Sequence, residues 1–437
     1  MRRDATRHWS RFRLSHQLGV HPAPTSTSGQ FLSRRNPQSH PPALPDVVRF
    51  AAENLAFRGQ RMRLTHINTS ARVGTVRAWR ASVDLGQKTL LVGRNATGKS
   101  MILASMHNLS RMIAKKQRFD DANFDATFAN GEKECTYSVT VRGGTVERES
   151  FKDGGEEVLT RRADGTGNIK AVAASESRLD FQVPNNELAV VAKRDLIQHP
   201  FLEPLHSWAA STRFYRFNEF NQRAFAIVRD GAPEADPSDF NQSVGLFRKG
   251  VKTLGDSFKK AVVDDLTRIG YPTDDVGFSS VEEIQLPPEF GAPLLGLYVK
   301  ERDLRGPTSQ FGMSDGMFRA LALIIHAAYA ELASVPGCMM IDDIGEGLDF
   351  ERSTALIQLL LERANRKAIQ LVMSTNDRFA MNAVPLEVWC GLRRTPDGVE
   401  TVTERSHPDV FEQFRLTGLN NFDFFKMDYF EVAVPNG

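Results

Sequence analysis

Cysteine is scarce in this chain: three residues in 437, Cys135, Cys338 and Cys390, far apart. That spacing excludes a disulfide framework and a Cys-based metal site, and it suits a reducing, cytoplasmic compartment. Long apolar runs are missing as well. No stretch of about 18 apolar residues occurs, so neither a membrane-spanning helix nor a membrane partner is expected. Net charge is almost absent, with 55 basic against 53 acidic residues and a balance of +2. Without a global field, any attraction to nucleic acid has to come from a local patch. What the chain does have is length and 41% apolar residues. Those allow one large domain or two to three smaller ones around a sizeable core.

The chain is organised around Gly93-Arg94-Asn95-Ala96-Thr97-Gly98-Lys99-Ser100. This is the G-x-x-x-x-G-K-S pattern of a phosphate-binding loop. Before it, Lys88–Val92 is a short apolar run that reads as a buried strand. After it, Met101 to Met106 opens a helix expected to run to about Lys116. Strand, glycine turn and helix start are what polyphosphate binding needs. Gly93 and Gly98 let the backbone N–H groups turn inward, and the helix N-terminus faces the phosphates. ATP and Mg²⁺ are the expected cofactors. Lys99 is expected to reach the β- and γ-phosphates, and the Ser100 hydroxyl to hold Mg²⁺.

Residues 1–61 read as a disordered basic leader. Within 1–45 there are seven Arg, six Pro, no Lys and one acidic residue, Asp4. Such a stretch cannot bury enough apolar surface to offset chain entropy. An organellar transit peptide, a nucleic-acid arm and a non-structural leader all fit, and the last is the reading adopted. Residues 62–164 read as the first part of an ATPase domain. They carry the loop and an antiparallel β-rich portion: Tyr137–Arg142 alternates in strand period, and Gly143-Gly144 makes a hairpin. Residues 165–300 read as a mixed helical insertion. Leu188–Ile197 is expected to be a helix, and Val244–Ile269 a long one, with Leu246, Phe247, Val251, Leu254, Phe258, Val262 and Leu266 on one side. Its Arg248, Lys249, Lys252, Lys259 and Lys260 read as a solvated face, with a nucleic-acid patch as the lesser alternative. Residues 301–437 return to chemistry. Cys338–Ile341 is an apolar strand ending in Asp342 and Asp343. Ile369–Met373 is another, ending at Ser374-Thr375-Asn376-Asp377. Repeated strand–helix units imply a parallel sheet with the ligand at its carboxyl edge. The fold class expected is therefore α/β. The aromatic tail, Phe411 to Phe430, reads as packing against the core or as a partner surface.

An apolar strand followed by Asp is the second half of a P-loop site, with Asp342 toward Mg²⁺ and Asp343 toward the attacking water. Together these pieces resemble the ABC-type ATPases of the RecF/SMC/OLD branch. The branch carries Asp-Glu-Pro-x-x-x-Leu-Asp where this chain has Asp342-Asp343-Ile344-Gly345-Glu346-Gly347-Leu348-Asp349. Ser314-Asp315-Gly316 before a helix resembles its signature motif. Asn376 sits where the branch carries a switch histidine. The resemblance spans about 62–142 and 280–405. It implies a P-loop NTPase with an ABC-type head. It also implies a homodimer that closes on two ATPs, in which Ser314, Asp315 and Gly316 of one chain complete the phosphate site of the other. Asp343 and Asn376 then carry catalysis. DNA and an effector protein are candidate partners. Four departures stand out. Asp343 is one methylene shorter than Glu, and Asn376 cannot carry a proton. No Q-loop glutamine stands out after the first helix, where Gln117 is the candidate. Neither coiled-coil arms nor, after residue 405, an acidic nuclease cluster is present. Two readings follow: an ATPase tied to DNA or defence, and a non-hydrolysing ATP switch that recruits a partner.

Overall fold

The computed structural model describes residues 62–432, apart from 72–77, 115–120, 173–176, 217–224, 228–233, 282–283, 285–292, 336, 367–368 and 397. The leader 1–61, Lys116 and Gln117 lie outside the described residues.

Eighteen strands are described. They are β1 (Met62–Ala71), β2 (Trp79–Asp84), β3 (Lys88–Val92), β4 (Ala122–Asn130), β5 (Lys133–Arg142), β6 (Thr145–Asp153), β7 (Glu156–Arg161), β8 (Thr166–Ala171), β9 (Ser177–Gln182), β10 (Arg213–Arg216), β11 (Ala226–Ile227), β12 (Thr273–Ser280), β13 (Leu294–Glu301), β14 (Thr308–Ser309), β15 (Gly337–Asp342), β16 (Ile369–Thr375), β17 (Trp389–Thr395) and β18 (Gly398–Thr403). Fourteen form one sheet in the order β10-β15-β16-β3-β17-β18-β2-β1-β4-β5-β6-β7-β8-β9. The first five run parallel. β18 reverses direction as a hairpin on β17, and from β2 to β9 the neighbours are antiparallel. The sheet is thus mixed, with the nucleotide half parallel and the β-rich half a meander. Strands β11 to β14 make a second, small sheet.

The parallel strands are buried on both faces, as such strands must be when helices cover them. All seven positions of β16 are buried. Alternation splits β15 between two cores. Cys338 and Met340 face a core that includes α1 (Lys99–Ile113) and α2 (Glu203–Ser211). Met339 and Ile341 face the opposite core. That one includes α3 (Ser243–Leu254), α4 (Asp256–Arg268), α5 (Asp315–Leu332) and α6 (Phe350–Asn365). In the meander, Cys135, Tyr137, Val139 and Val141 of β5 turn inward while their neighbours face out.

Two helices differ from their sequence reading. Val244–Ile269 is broken into α3 and α4 at Gly255, whose backbone stands at φ 65, ψ −150. Apolar periodicity continues across the break, which hides it. Only Gly enters that backbone region freely, and a Cβ there would meet nothing within 4 Å. Gly255→Ala therefore pays backbone strain alone and should destabilise the fold by about 1–3 kcal/mol. Urea denaturation checks this; a change within about 0.5 kcal/mol, the usual surface value, would contradict it. Leu188–Ile197 holds only one helical turn, Ala189–Ala192. There the buried Glu149 carboxylate takes the role of a cap, accepting from Ala189 N (2.6 Å) and Val190 N (3.0 Å).

Three lysines on α3 and α4 are paired. Lys249 meets Glu234 (3.0 Å), Lys259 meets Asp275 (2.7 Å) and Lys260 meets Asp264 (2.7 Å). Those contacts fit the solvated-face reading. Helix α7 (Arg378–Ala383) lies between β16 and β17, and the tail forms α8 (Pro408–Arg415), α9 (Asn421–Lys426) and α10 (Tyr429–Val432) after the core strands. Phe411, Phe414, Phe424 and Phe430 are buried near Trp389, so the aromatics pack on the core.

His326 of α5 is fully buried, with its ring edge-on to Tyr215 and Nε2 3.4 Å from Ser243 Oγ. Burial and the nearby Arg213 guanidinium push its pKa down to about 3. The ring is neutral in the fold, whereas the unfolded chain protonates it near pH 6.5. Its contribution is therefore full above pH 6.5 and is lost as pH falls toward 3. His326→Gln should flatten the loss of melting temperature over that window; an unchanged slope would contradict the assignment.

Candidate nucleotide site

Sheet topology brings the two halves of the site together. β3 lies between β16 and β17, and β15 lies beside β16. The loop 93–98 after β3 therefore stands beside the ends of β15 and β16. A cleft of about 430 Å³ opens there, lined by Asn95, Ala96, Thr97, Gly98, Lys99, Ser100 and Met101 with Asp343 and Asn376 opposite. Gly93 and Arg94 enter the loop, and Asp342 sits beneath it at the end of β15.

The loop has the backbone that a phosphate cradle requires. Gly98 lies at φ 110 and Ala96 at φ 64. A Cβ on Gly93 would stand 2.6 Å from Thr97 Oγ1 and 3.0 Å from Leu392 O. Thr97 closes the turn, its hydroxyl donating to Arg94 O at 2.9 Å. Lys99 is buried, and Nζ donates to Gly93 O (2.7 Å) and Arg94 O (3.2 Å). Its ammonium thus caps the loop's own carbonyls. Desolvation lowers its pKa, while the charges of Asp343 and Asp342 push it back up.

Asp342 is 6% exposed and is held by two hydroxyls on one oxygen. Ser100 Oγ donates to Oδ1 at 3.0 Å and Ser374 Oγ at 2.6 Å. The same Ser374 oxygen accepts from Asp343 N at 3.0 Å. Asp343 stands at φ 53, and its Oδ1 accepts from Asn376 Nδ2 at 3.3 Å. Desolvation, and then the charge of Asp342, raise the Asp343 carboxyl above the usual carboxylate range, against the pull of Lys99.

These groups fit MgATP. Among the described residues no cluster of three or more His, Cys, Asp or Glu side chains could cage a metal ion. The site offers one hydroxyl and one carboxylate, and Mg²⁺ is bound in that way when phosphates complete its shell. Ser100 and Asp342 are the residues that would hold it.

The structure places Ser314, Asp315 and Gly316 elsewhere; none lines the cleft. Ser314 caps α5, its Oγ accepting from Met317 N at 3.2 Å. Gly316 packs on the segment after Asp343: a Cβ there would collide with the Gly347 carbonyl. Arg319 Nη1 ties the same turn by donating to Glu346 O at 3.0 Å.

Sequence reasoning missed four contributors. Ser374 lay inside the stretch read as a switch, and its signal was a hydroxyl on a strand beside β15. Arg216 reaches the site from β10 (Nε to Asp342 Oδ2, 3.8 Å). Arg394 lines the cleft and donates to Ala96 O at 3.3 Å. Asp428, in the tail, holds Arg94 Nη2 at 2.6 and 2.7 Å. No sequence pattern pointed to the last.

Solved structures of SMC heads are similar in outline to this chain. An SMC head bound to the C-terminal winged-helix domain of ScpA shows 13% identity and a TM-score of 0.46, over 78% of this chain and 96% of that one. An SMC head with an extended coiled coil, bound to the C-terminal domain of ScpA from Pyrococcus furiosus, shows 12% and 0.46, over 81% and 100%. The SMC head domain from Thermotoga maritima shows 14% and 0.40, over 78% and 98%. No curated protein matches the chain. The family model described as "AAA domain, putative AbiEii toxin, Type IV TA system" matches residues 88–378. The chain therefore belongs to that AAA-domain family.

Proposed function

We propose that this protein binds and hydrolyses MgATP, and that two copies close on the nucleotide to act in a DNA-linked or defence process in the cytoplasm. One observation carries the reading: Ser100, Asp342, Ser374, Asp343 and Asn376 form one connected hydrogen-bonded chain. Asp343 and Asn376 also line the Lys99 cleft. Lys99 exchanges the loop carbonyls for β/γ-phosphate oxygens. Mg²⁺, when bound, supplies charge neutralisation on those oxygens. Asp343 orients the attacking water and takes its proton, and Asn376 hydrogen-bonds the γ-phosphate. Ser314 and Asp315 are exposed with Gly316 buried behind them, and this turn, absent from its own cleft, completes the site of a second copy. The family's description supports a toxin–antitoxin setting; DNA or an effector protein is the partner in this reading.

Asp343 and Asn376 also favour a second reading, a switch that closes on ATP and turns over negligibly. The Asp343 carboxylate is one methylene shorter than the glutamate of the branch, and Asn376 cannot carry a proton. Steady-state phosphate release separates the two readings. Light-scattering mass with ATP, with ADP and without nucleotide, each with and without DNA, tests closure. A monomer under all conditions would sink the two-copy reading.

A further inference from the structure

Asp342 divides its two oxygens between opposite neighbours. Oδ1 faces the Ser100 and Ser374 hydroxyls. Oδ2 faces Arg216, whose Nε stands 3.8 Å away. The backbone makes this pairing: β10 runs parallel to β15 with Arg216 in register with Asp342. β10 is the outermost strand of the sheet, so Arg216 stands at its rim, with its side chain 36% exposed. Its guanidinium lies over the Phe214 ring at 5.4 Å, and that ring packs on His107 of α1, the helix that begins with Lys99. Cation and platform are thus built against the phosphate-loop helix.

Charge gives this arrangement a task. Asp343 lines a cleft meant for a polyanion, Asp342 sits buried beneath it, and the charge of Glu346 reaches Asp343. Among the described residues, Lys99 and Arg394 line the cleft on the phosphate side, and Arg216 is the cation beside Asp342. The geometry points to Arg216 as a positioning residue for nucleotide binding: it compensates the outer oxygen of Asp342, so that ATP enters before the metal does. When Mg²⁺ is present, the ion neutralises the same carboxylate edge and the arginine is nearly redundant. This inference rests on the proposed nucleotide site and names how that site is loaded.

The test is the affinity of the full chain for ATP by calorimetry, once with Mg²⁺ and once with EDTA. Arg216→Ala should weaken metal-free ATP binding about tenfold or more, the scale of one charge-assisted contact. Binding of MgATP should change less than about threefold. Arg216→Lys should restore most of the metal-free affinity, because the charge matters more than the planar fork. Equal weakening with and without metal, in a variant of unchanged melting temperature, would assign Arg216 a merely structural role and overturn the inference. Unchanged affinities in both arms would overturn it too. Failure of the parent protein to bind MgATP would overturn the nucleotide site itself, and the inference with it. Normal MgATP binding with an unaltered metal dependence in Arg216→Ala overturns the inference alone.

Discussion

In Asp343→Asn, ATP turnover falls by about 10²- to 10⁴-fold, the range for loss of a general base, while ATP still binds. The substitution keeps the shape and the contact with Asn376. It removes a charge that already sits unfavourably, since burial and Asp342 both oppose ionisation. Less repulsion toward the γ-phosphate favours the closed form, so the variant accumulates as an ATP-bound dimer. Stability follows with a definite sign. The folded Asp343 carboxyl binds its proton more tightly than the unfolded one, so ionisation costs stability above the carboxylate range. The variant should melt higher than the parent at neutral pH, and the gap should close as the solution is acidified. Mixing sharpens the result. Ser314→Arg blocks its own signature turn but keeps Asp343, so a mixed dimer with Asp343→Asn regains one whole site. Partial recovery of phosphate release on mixing supports sites shared between copies. Full turnover by either variant as a monomer would end that reading.

Lys99→Ala weakens ATP binding by roughly ten- to a hundredfold and leaves the chain folded. The loop survives because its closure does not depend on the ammonium. Thr97 N and Oγ1 both donate to Arg94 O, and Gly98 O still accepts from Ile102 N. Removal of Lys99 frees the Gly93 carbonyl of its partner and takes away the positive charge that draws in the triphosphate. Calorimetry with MgATP reads the loss, and circular dichroism checks the fold. An unchanged affinity would remove the phosphate-loop assignment.

Much of this was legible in the sequence, for a physical reason. Phosphate binding needs a fixed spacing of glycines, lysine and hydroxyl between a strand and a helix, and residues 93–100 have it. Buried parallel strands need continuous apolar runs, and those at 338–341 and 369–373 stand out for that reason. The break at Gly255 was not legible, because the apolar face of α3 continues into α4 and a lone glycine does not announce an unusual ψ. Ser374 and Arg216 were invisible in their roles for a different reason. Their partner Asp342 is reached only through lateral strand pairing, which no local pattern encodes. Arg94 and Asp428 are 334 positions apart and meet only because the tail folds back.

The order of the strands also bears on how the protein is made. β3, which carries the phosphate loop, is flanked by β16 and β17, and Gln87 and Gln370 stitch that seam through Ile369 O, Leu64 O and Gly86 O. A growing chain emerges from its N-terminal side, and roughly 5–20 residues are added each second. The strand with the loop thus waits tens of seconds for the neighbours that hold it, with an unpaired edge on either side. A nascent or prematurely terminated chain lacking residues 369–395 carries the phosphate loop but no seat for it. Such a fragment cannot assemble the carboxylate side of the cleft, and its bare strand edges make it a client for chaperones rather than a consumer of ATP.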